Sequence, residues 1–267
     1  MSEHTRPGAD QLFTERTPRV AAARQLTKRA GRERAGRFLA EGAQAVREAL
    51  RHGQVYEVFV TETAAARNSE LITEASAAGV QVSTVTDRAA DGLSETVTPQ
   101  GIVAVCELLD VSLDDALTAP KLVAVLVGVS DPGNAGTVTR VADAAGASAV
   151  IFAGDTVDPH NGKCVRASTG SVFHLPLARS RSTTAVFDAC RAAGLRLVAA
   201  DGHVTTELTA LDLTQPTAWV FGSEAHGLDP EVLAAVDDVV SVPIFGKAES
   251  LNLATAAAVC LYAGHLR

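Results

Sequence analysis

The chain has 267 residues, 47% of them hydrophobic, which suffices for one large domain or two modest ones with sizeable cores. No apolar run reaches membrane-spanning length and the N-terminus lacks the charged-then-apolar layout of a signal peptide, so a soluble, cytoplasmic protein with no membrane partner is expected. The net charge of −8 argues against a nucleic-acid partner only until its distribution is read: residues 1–52 carry 11 Lys and Arg against 6 Asp and Glu, and the remainder 12 against 25.

Residues 1–17 are polar and aperiodic and read as a flexible tail. RVAAARQLTKRAGRERAG follows as a basic helix running into a loop over Gly31–Gly36; it concentrates Arg24, Lys28, Arg29, Arg32 and Arg34, and Arg37 comes directly after it. Such a patch binds phosphate backbones even on an acidic protein, although a solvated arm fits the same charges equally well. After RFLAEG, the segment AQAVREALRHG is helical through Ala45, Val46, Ala49 and Leu50, and Gly53 ends it. VYEVFVTE reads as a strand, LITEASAAG as a helix, VQVSTVT as a strand, AADGLSET as a short helix and GIVAVCEL as a strand, giving a small α/β unit over residues 18–108. VSLDDALTAP, punctuated by Pro120, reads as a linker over residues 109–120.

Residues 121–267 alternate strand and helix. In order they are LVAVLVGV, AGTVTRVADAAG, AVIFAG, a helix near NGKCVRASTG, VFHLPLA as a strand, TTAVFDACRAAG, RLVAAD, TAWVFGSE, PEVLAAVD, DVVSVPI and LNLATAAAVCLYAGHL. The strands are continuously apolar, which predicts an α/β fold with a mostly parallel sheet covered by helices on both faces. Cys106, Cys164, Cys190 and Cys260 form no CxxC pair and suit reduced core positions, and the histidines do not cluster at ligand spacing, so no metal is expected.

The stretch DPGNAGTVTRVADAAGA (131–147) follows the first of these strands, where a glycine turn usually holds a phosphate. The spacing fails both common templates. Gly133-Asn134-Ala135-Gly136 is not GxGxxG, and the span Gly128 to Gly133 has Walker A spacing but Asn134-Ala135 in place of Lys and Ser/Thr. Three more polar stretches end or follow strands: RASTGSVFHLP (166–176), FGSEAHGL (221–228) and VPIFGKAESLNLATAAA (242–258). They bring Asn134, Arg140, Arg166, Glu224, Ser250 and Asn252, with no Ser-His-Asp or Cys-His arrangement. A transfer between two bound substrates fits this set better than covalent catalysis.

NxGxxxR at Asn134–Arg140, FGSExxGL ending at Leu228 and VPI…SLNxAxA at Val242–Ala256 resemble, in order and spacing, the three motifs of the SpoU (TrmH-type) RNA 2′-O-ribose methyltransferases of the SPOUT superfamily. FLAEGAQAVREAL and the unit after it resemble, more loosely, the L30e-like substrate-binding domain of that family. The resemblance implies a trefoil-knotted C-terminal domain, S-adenosylmethionine as cofactor, a homodimer, and an RNA substrate, ribosomal rather than transfer RNA. It leaves open whether the modification is housekeeping or protects against an antibiotic. A transfer-RNA 2′-O-methyltransferase, a catalytically silent RNA-binding protein that keeps the fold, and a Rossmann-type nucleotide-binding enzyme are the competing readings.

On that resemblance, Gly222, Gly227 and Leu228 belong to the cofactor loop, and Val242, Ile244 and Leu251 give adenine an apolar bed. Arg140 lies in a helix that is otherwise small and apolar. By position alone it would snorkel or pair with Asp143; in the motif context it orients the substrate and offsets developing charge, and the base stays unassigned. Asn134 would orient Arg140 or the ribose. Glu224 would brace its loop or position Arg140. Ser250 would cap the last helix, Asn252 would reach the site, and Arg166 would grip an RNA phosphate.

Overall fold

The computed structural model describes residues 12–202 and 204–266, which form two compact units dividing between Leu108 and Leu109. Each unit obeys the same rule: apolar strands pair into a sheet, and helices cover its faces.

In the first unit, Phe13 is buried and makes a parallel bridge to Val85, so residues 12–17 are not a free tail; residues 1–11 lie outside the described residues. Helix α1 (Pro18–Arg24) leads through a 3-10 turn at Gln25–Thr27 into α2 (Arg29–Ala35). The expected loop over Gly31–Gly36 is therefore helical up to its Gly36 cap. Strand β1 (Arg37–Glu41) precedes α3 (Ala43–His52), which buries Ala45, Val46 and Ala49. Strand β2 (Val55–Val60) stops sooner than its apolar pattern suggests, because the Thr61 hydroxyl accepts the Ala64 N–H and starts α4 (Glu62–Arg67). Next come α5 (Ser69–Ala77), β3 (Gln81–Thr84), α6 (Asp87–Asp91) and β4 (Ile102–Glu107). The sheet order is β1-β4-β2-β3, with β4 antiparallel to both neighbours and β2 parallel to β3. Val20, Ala23 and Leu26 pack with Leu39, Phe59, Val103 and Val105 on one face.

In the second unit the expected linker 109–120 is structured. It holds β5 (Asp110–Val111) and α7 (Leu113–Ala116). A two-residue strand is too short to leave a periodic signal in sequence. The following elements are β6 (Leu122–Val127), α8 (Pro132–Ala144), β7 (Ala149–Ala153), α9 (Gly162–Ser168), β8 (Leu177–Ser180) and α10 (Thr183–Ala192). The chain ends with β9 (Arg196–Ala200), β10 (Thr217–Phe221), α11 (Pro230–Ala234), β11 (Asp238–Val240) and α12 (Leu253–Tyr262). The expected strand VFHLPLA is a 3-10 turn at Ser171–Phe173 followed by β8. Pro176 sets that boundary: β8 is an internal strand, and a proline has no N–H for its ladder.

All pairings of this seven-stranded sheet are parallel, in the order β11-β9-β10-β6-β7-β8-β5. Val123, Val125, Ile151 and Val220 on one face pack with Val186, Phe187 and Cys190 of α10. Ala124, Leu126, Phe152, Trp219 and Phe221 alternate with them and are equally buried, so both faces are covered. From β6 the chain runs one way through β7 and β8, while β10, β9 and β11 lie on its other side. The carboxyl ends of β6 and β10 thus flank the point where strand order reverses, the place where open parallel sheets hold ligands. The four cysteines are buried free thiols, and burial pushes Cys190 up to about 11 and Cys260 up to about 12. Among the described residues no helix is long and apolar enough to cross a membrane.

Candidate active site

Helix α8 begins just beyond β6, and the sequence shows why. Asp131 stands at its N-cap, with Oδ1 accepting the Asn134 N–H at 2.8 Å, and Pro132 takes the first helical position. Asp131 Oδ2 also meets Lys163 Nζ at 2.6 Å. The Lys163 ammonium first, and the Asn134 N–H second, hold this carboxyl below its usual range. Gly136, one turn further on, lets α9 approach: a Cβ there would stand 2.2 Å from the Cys164 carbonyl oxygen.

The cap leaves the Asn134 side chain to face outward, and two other loops meet it. Asn134 Nδ2 donates to Glu224 Oε1 at 2.8 Å, and Asn134 Oδ1 accepts from Asn252 Nδ2 at 3.1 Å. Asn252 Oδ1 in turn accepts the N–H groups of Ala254 and Thr255 at 3.0 and 3.3 Å. Those bonds fix both amides. A carboxylate only accepts, so Nδ2 of Asn134 must face Glu224; the helix N–H groups occupy Oδ1 of Asn252, so its Nδ2 must face Asn134. One asparagine therefore joins the loops after β6, β10 and β11. The expected cap, Ser250, does not cap α12; Asn252 does, and Ser250 is exposed two residues earlier.

The loop after β10 closes on itself. Ser223 N–H donates to Gly227 O at 3.0 Å and Gly227 N–H to Ser223 O at 2.9 Å. Gly227 has φ +67°, and a Cβ on Gly222 would stand 2.4 Å from the Gly227 carbonyl, so glycine is required at both positions. Leu228, expected to line the cofactor site, instead buries its side chain in the core with Val123, Val220 and Ala199. Val242 and Ile244 are half-buried after β11 and Leu251 is 37% exposed, so the core does not consume these apolar surfaces. A tight glycine loop with close backbone, beside partly exposed apolar side chains, suits a nucleoside-bearing cofactor.

Arg140 is exposed on α8, six residues past Asn134, which places it roughly 9 Å along the axis and on another face. Among the described residues neither Asn134 nor Glu224 is bonded to it, which leaves the other role expected of each. Its Nη1 donates to Thr169 Oγ1 at 3.3 Å, and Asp143, the expected ion-pair partner, is bonded to His174 Nδ1 at 2.8 Å. Arg166 is half-buried on α9. In the first unit Arg24, Lys28, Arg34 and Arg37 are exposed, with the Arg37 guanidinium 3.8 Å above the Tyr56 ring centroid. Arg32 does not belong to this basic surface. It is 3% exposed, and Nη1 donates to the carbonyls of Leu26 and Thr27 at 3.0 Å each. Sequence reading also missed Thr169 and Lys163; the Asp-Pro pair ahead of α8 was a usable cap signal for Asp131.

Fold and site together define an α/β protein whose glycine and polar loops meet at the carboxyl edge of a parallel sheet. Residues 121–262 match the SpoU rRNA Methylase family, and residues 17–104 match the MRM3-like substrate binding domain. The chain is similar to the Bacillus subtilis 23S rRNA (guanosine(2553)-2′-O)-methyltransferase RlmP, at 32% identity over 96% of this chain and 99% of that one. It is also similar to the Streptomyces viridochromogenes 23S rRNA (uridine(2479)-2′-O)-methyltransferase, at 34% identity over 93% of each. An AdoMet-bound rRNA methyltransferase from Sinorhizobium meliloti superposes with a TM-score of 0.83, at 31% identity over 96% of this chain and 98% of that chain. The chain belongs to the SpoU rRNA methylase family.

Proposed function

We propose that the protein is an S-adenosylmethionine-dependent RNA ribose-2′-O-methyltransferase acting on ribosomal RNA. The observation that carries this reading is the meeting of the three motif loops at Asn134, through Glu224 at 2.8 Å and Asn252 at 3.1 Å. The relatives of similar length act, by their names, on 23S rRNA.

S-adenosylmethionine, when bound, supplies a methyl group already activated on a sulfonium. Gly222 and Gly227 shape the loop that would hold it, with Val242, Ile244 and Leu251 against its adenine. What the chain must add is alignment of the ribose hydroxyl and compensation of the charge that builds on its oxygen. Arg140 does this second task. A guanidinium stays protonated in proteins, so Arg140 is a poor base but a suitable clamp for the neighbouring phosphate and a counter-charge for the 2′-oxygen. Arg166 supports the same backbone. Asn134, Glu224 and Asn252 lock the loops in register.

In the first unit Arg24, Lys28, Arg34 and Arg37 form the RNA-binding surface. The active species is a homodimer. Helix α12 is rich in small residues and leaves Val259 39% exposed, a surface suited to a second copy. The segment between β11 and Asn252 must pass the carboxyl ends of β9 and β10 to reach α8, a course that accords with a trefoil-knotted domain. Reverse-transcription mapping of ribose methylation, in ribosomal RNA from cells with and without the protein, tests the reading. One methyl that disappears with the protein supports it, and an unchanged map refutes it. Light scattering tests the dimer.

A further inference from the structure

Arg140 is held in an unusual way. Among the described residues its side chain has one hydrogen-bond partner, the Thr169 hydroxyl, at 3.3 Å. Thr169 is the C-cap of α9, with φ 53° and ψ 33°, the left-handed region. That position favours glycine or asparagine, and a β-branched residue there is a steric outlier. A glycine, Gly170, stands next in the chain, yet the cap position is threonine. Core packing does not account for the choice, because Thr169 is exposed. Its hydroxyl does one thing visible in the structure: it receives Arg140.

The chain just past Thr169 acts on the same arginine from a second direction. Asp143 lies three residues after Arg140 on α8, the spacing at which an acid pairs with an arginine along a helix. It does not do so. Asp143 Oδ2 instead meets His174 Nδ1 at 2.8 Å, and His174 follows the 3-10 turn Ser171–Phe173 that begins one residue after Gly170. The distance between the helices is fixed by the close seat of Gly136 on Cys164 and Ala167. Arg140 lies one turn beyond Gly136 on that face of α8, so Thr169 is brought to it by rigid packing.

From this juxtaposition we infer that the segment Thr169–His174 is a positioning device for Arg140: Thr169 orients the guanidinium through a neutral oxygen, and His174 engages Asp143, the acid three residues along the helix that could otherwise pair with it. The guanidinium thus keeps its orientation, with its remaining donors uncommitted to a carboxylate, for an RNA phosphate. A carboxylate in place of the hydroxyl would bind Arg140 more strongly and compete with that phosphate. The inference rests on the role proposed above for Arg140.

The test uses the full-length protein, labelled S-adenosylmethionine and a ribosomal RNA substrate. Thr169→Gly removes the hydroxyl and relieves the left-handed backbone. It should melt no lower than the parent and bind S-adenosylmethionine unchanged, while kcat/KM for RNA falls about tenfold. Thr169→Ser should recover activity to within about twofold, because the hydroxyl returns. His174→Leu should lower kcat/KM, and adding Asp143→Asn should restore it. In an Arg140→Ala background, Thr169→Gly should have no further effect. A Thr169→Gly variant with parental kcat/KM overturns the inference, as does a loss matched by weaker cofactor binding or a lower Tm, or a His174→Leu loss that Asp143→Asn does not repair. An Arg140→Ala enzyme with parental activity would instead overturn the role of Arg140 itself, and is read separately.

Discussion

Asn134 Nδ2 donates to Glu224 Oε1 at 2.8 Å, joining two loops 90 positions apart in the chain. The same amide accepts from Asn252 at 3.1 Å. Removing it therefore unlinks two loops at once. A neutral hydrogen bond contributes about 1 kcal/mol and one to a charged group about 1.5–3 kcal/mol, and exposure here lowers both. Asn134→Ala should weaken S-adenosylmethionine binding by about tenfold in calorimetry, with little change in Tm, because the linked residues lie at the surface. Asn134→Asp should be worse, since it sets a second carboxylate against Glu224. An Asp variant that binds like the parent would show that the loops do not depend on this bond.

Gly222 and Gly246, the latter in the stretch VPIFGKAESLNLATAAA, differ sharply in steric need. A Cβ on Gly222 would lie 2.4 Å from the Gly227 carbonyl carbon and oxygen, whereas one on Gly246 meets nothing within 4 Å. Gly222→Ala should abolish measurable cofactor binding and lower Tm, because backbone must move. Gly246→Ala should match the parent in both. Equal behaviour of the two variants would contradict the tight loop.

Asp131 gives a pH dependence of known sign. Lys163 and the Asn134 N–H depress its folded pKa below the unfolded value, so its contribution to stability is complete above the ordinary carboxylate range and is lost as pH falls through the depressed value. Acid should fray the start of α8 and weaken cofactor binding before the fold melts. Asp131→Ala should cost about 1 kcal/mol, the usual worth of an N-cap. Its Tm difference from the parent should shrink as the pH is lowered through the acidic range; a constant difference would contradict the assignment.

The basic residues of the first unit divide by burial. Arg24, Lys28 and Arg34 are exposed, whereas Arg32 is 3% exposed and bonded to two carbonyls. Replacing the three exposed residues with Gln should weaken RNA binding and flatten its slope against log salt by about 2, with Tm unchanged. Arg32→Ala should lower stability by about 2 kcal/mol through the orphaned carbonyls, and disturb RNA binding only through folding. A slope that does not move would remove this surface from the interface.

Most of the parallel sheet was legible because doubly covered strands such as Leu122–Val127 and Thr217–Phe221 are continuously apolar, a local signal. What escaped depended on partners distant in sequence. Phe13 is buried only because Val85 pairs with it, and Asp110–Val111 is a strand only because β8 lies alongside. At the site, the sequence singles out Asn134, Glu224 and Asn252 as polar groups, and the fold adds the bonds that join them, which no local pattern carries. Composition marked Arg32 as surface charge, and only the fold shows its buried bonds to Leu26 and Thr27. Nothing in the spacing of RASTG says that its threonine takes a left-handed cap and meets Arg140.

The most direct measurement is methyl transfer from labelled S-adenosylmethionine to a 23S rRNA transcript by the purified protein and by Arg140→Ala, with the product nucleotide mapped by resistance to alkaline hydrolysis. Label should enter a single ribose 2′-position with the parent, and the variant should lose at least about a hundredfold in rate while still binding the methyl donor. Label on a base, no label at all, or an Arg140→Ala rate equal to the parent's would contradict it.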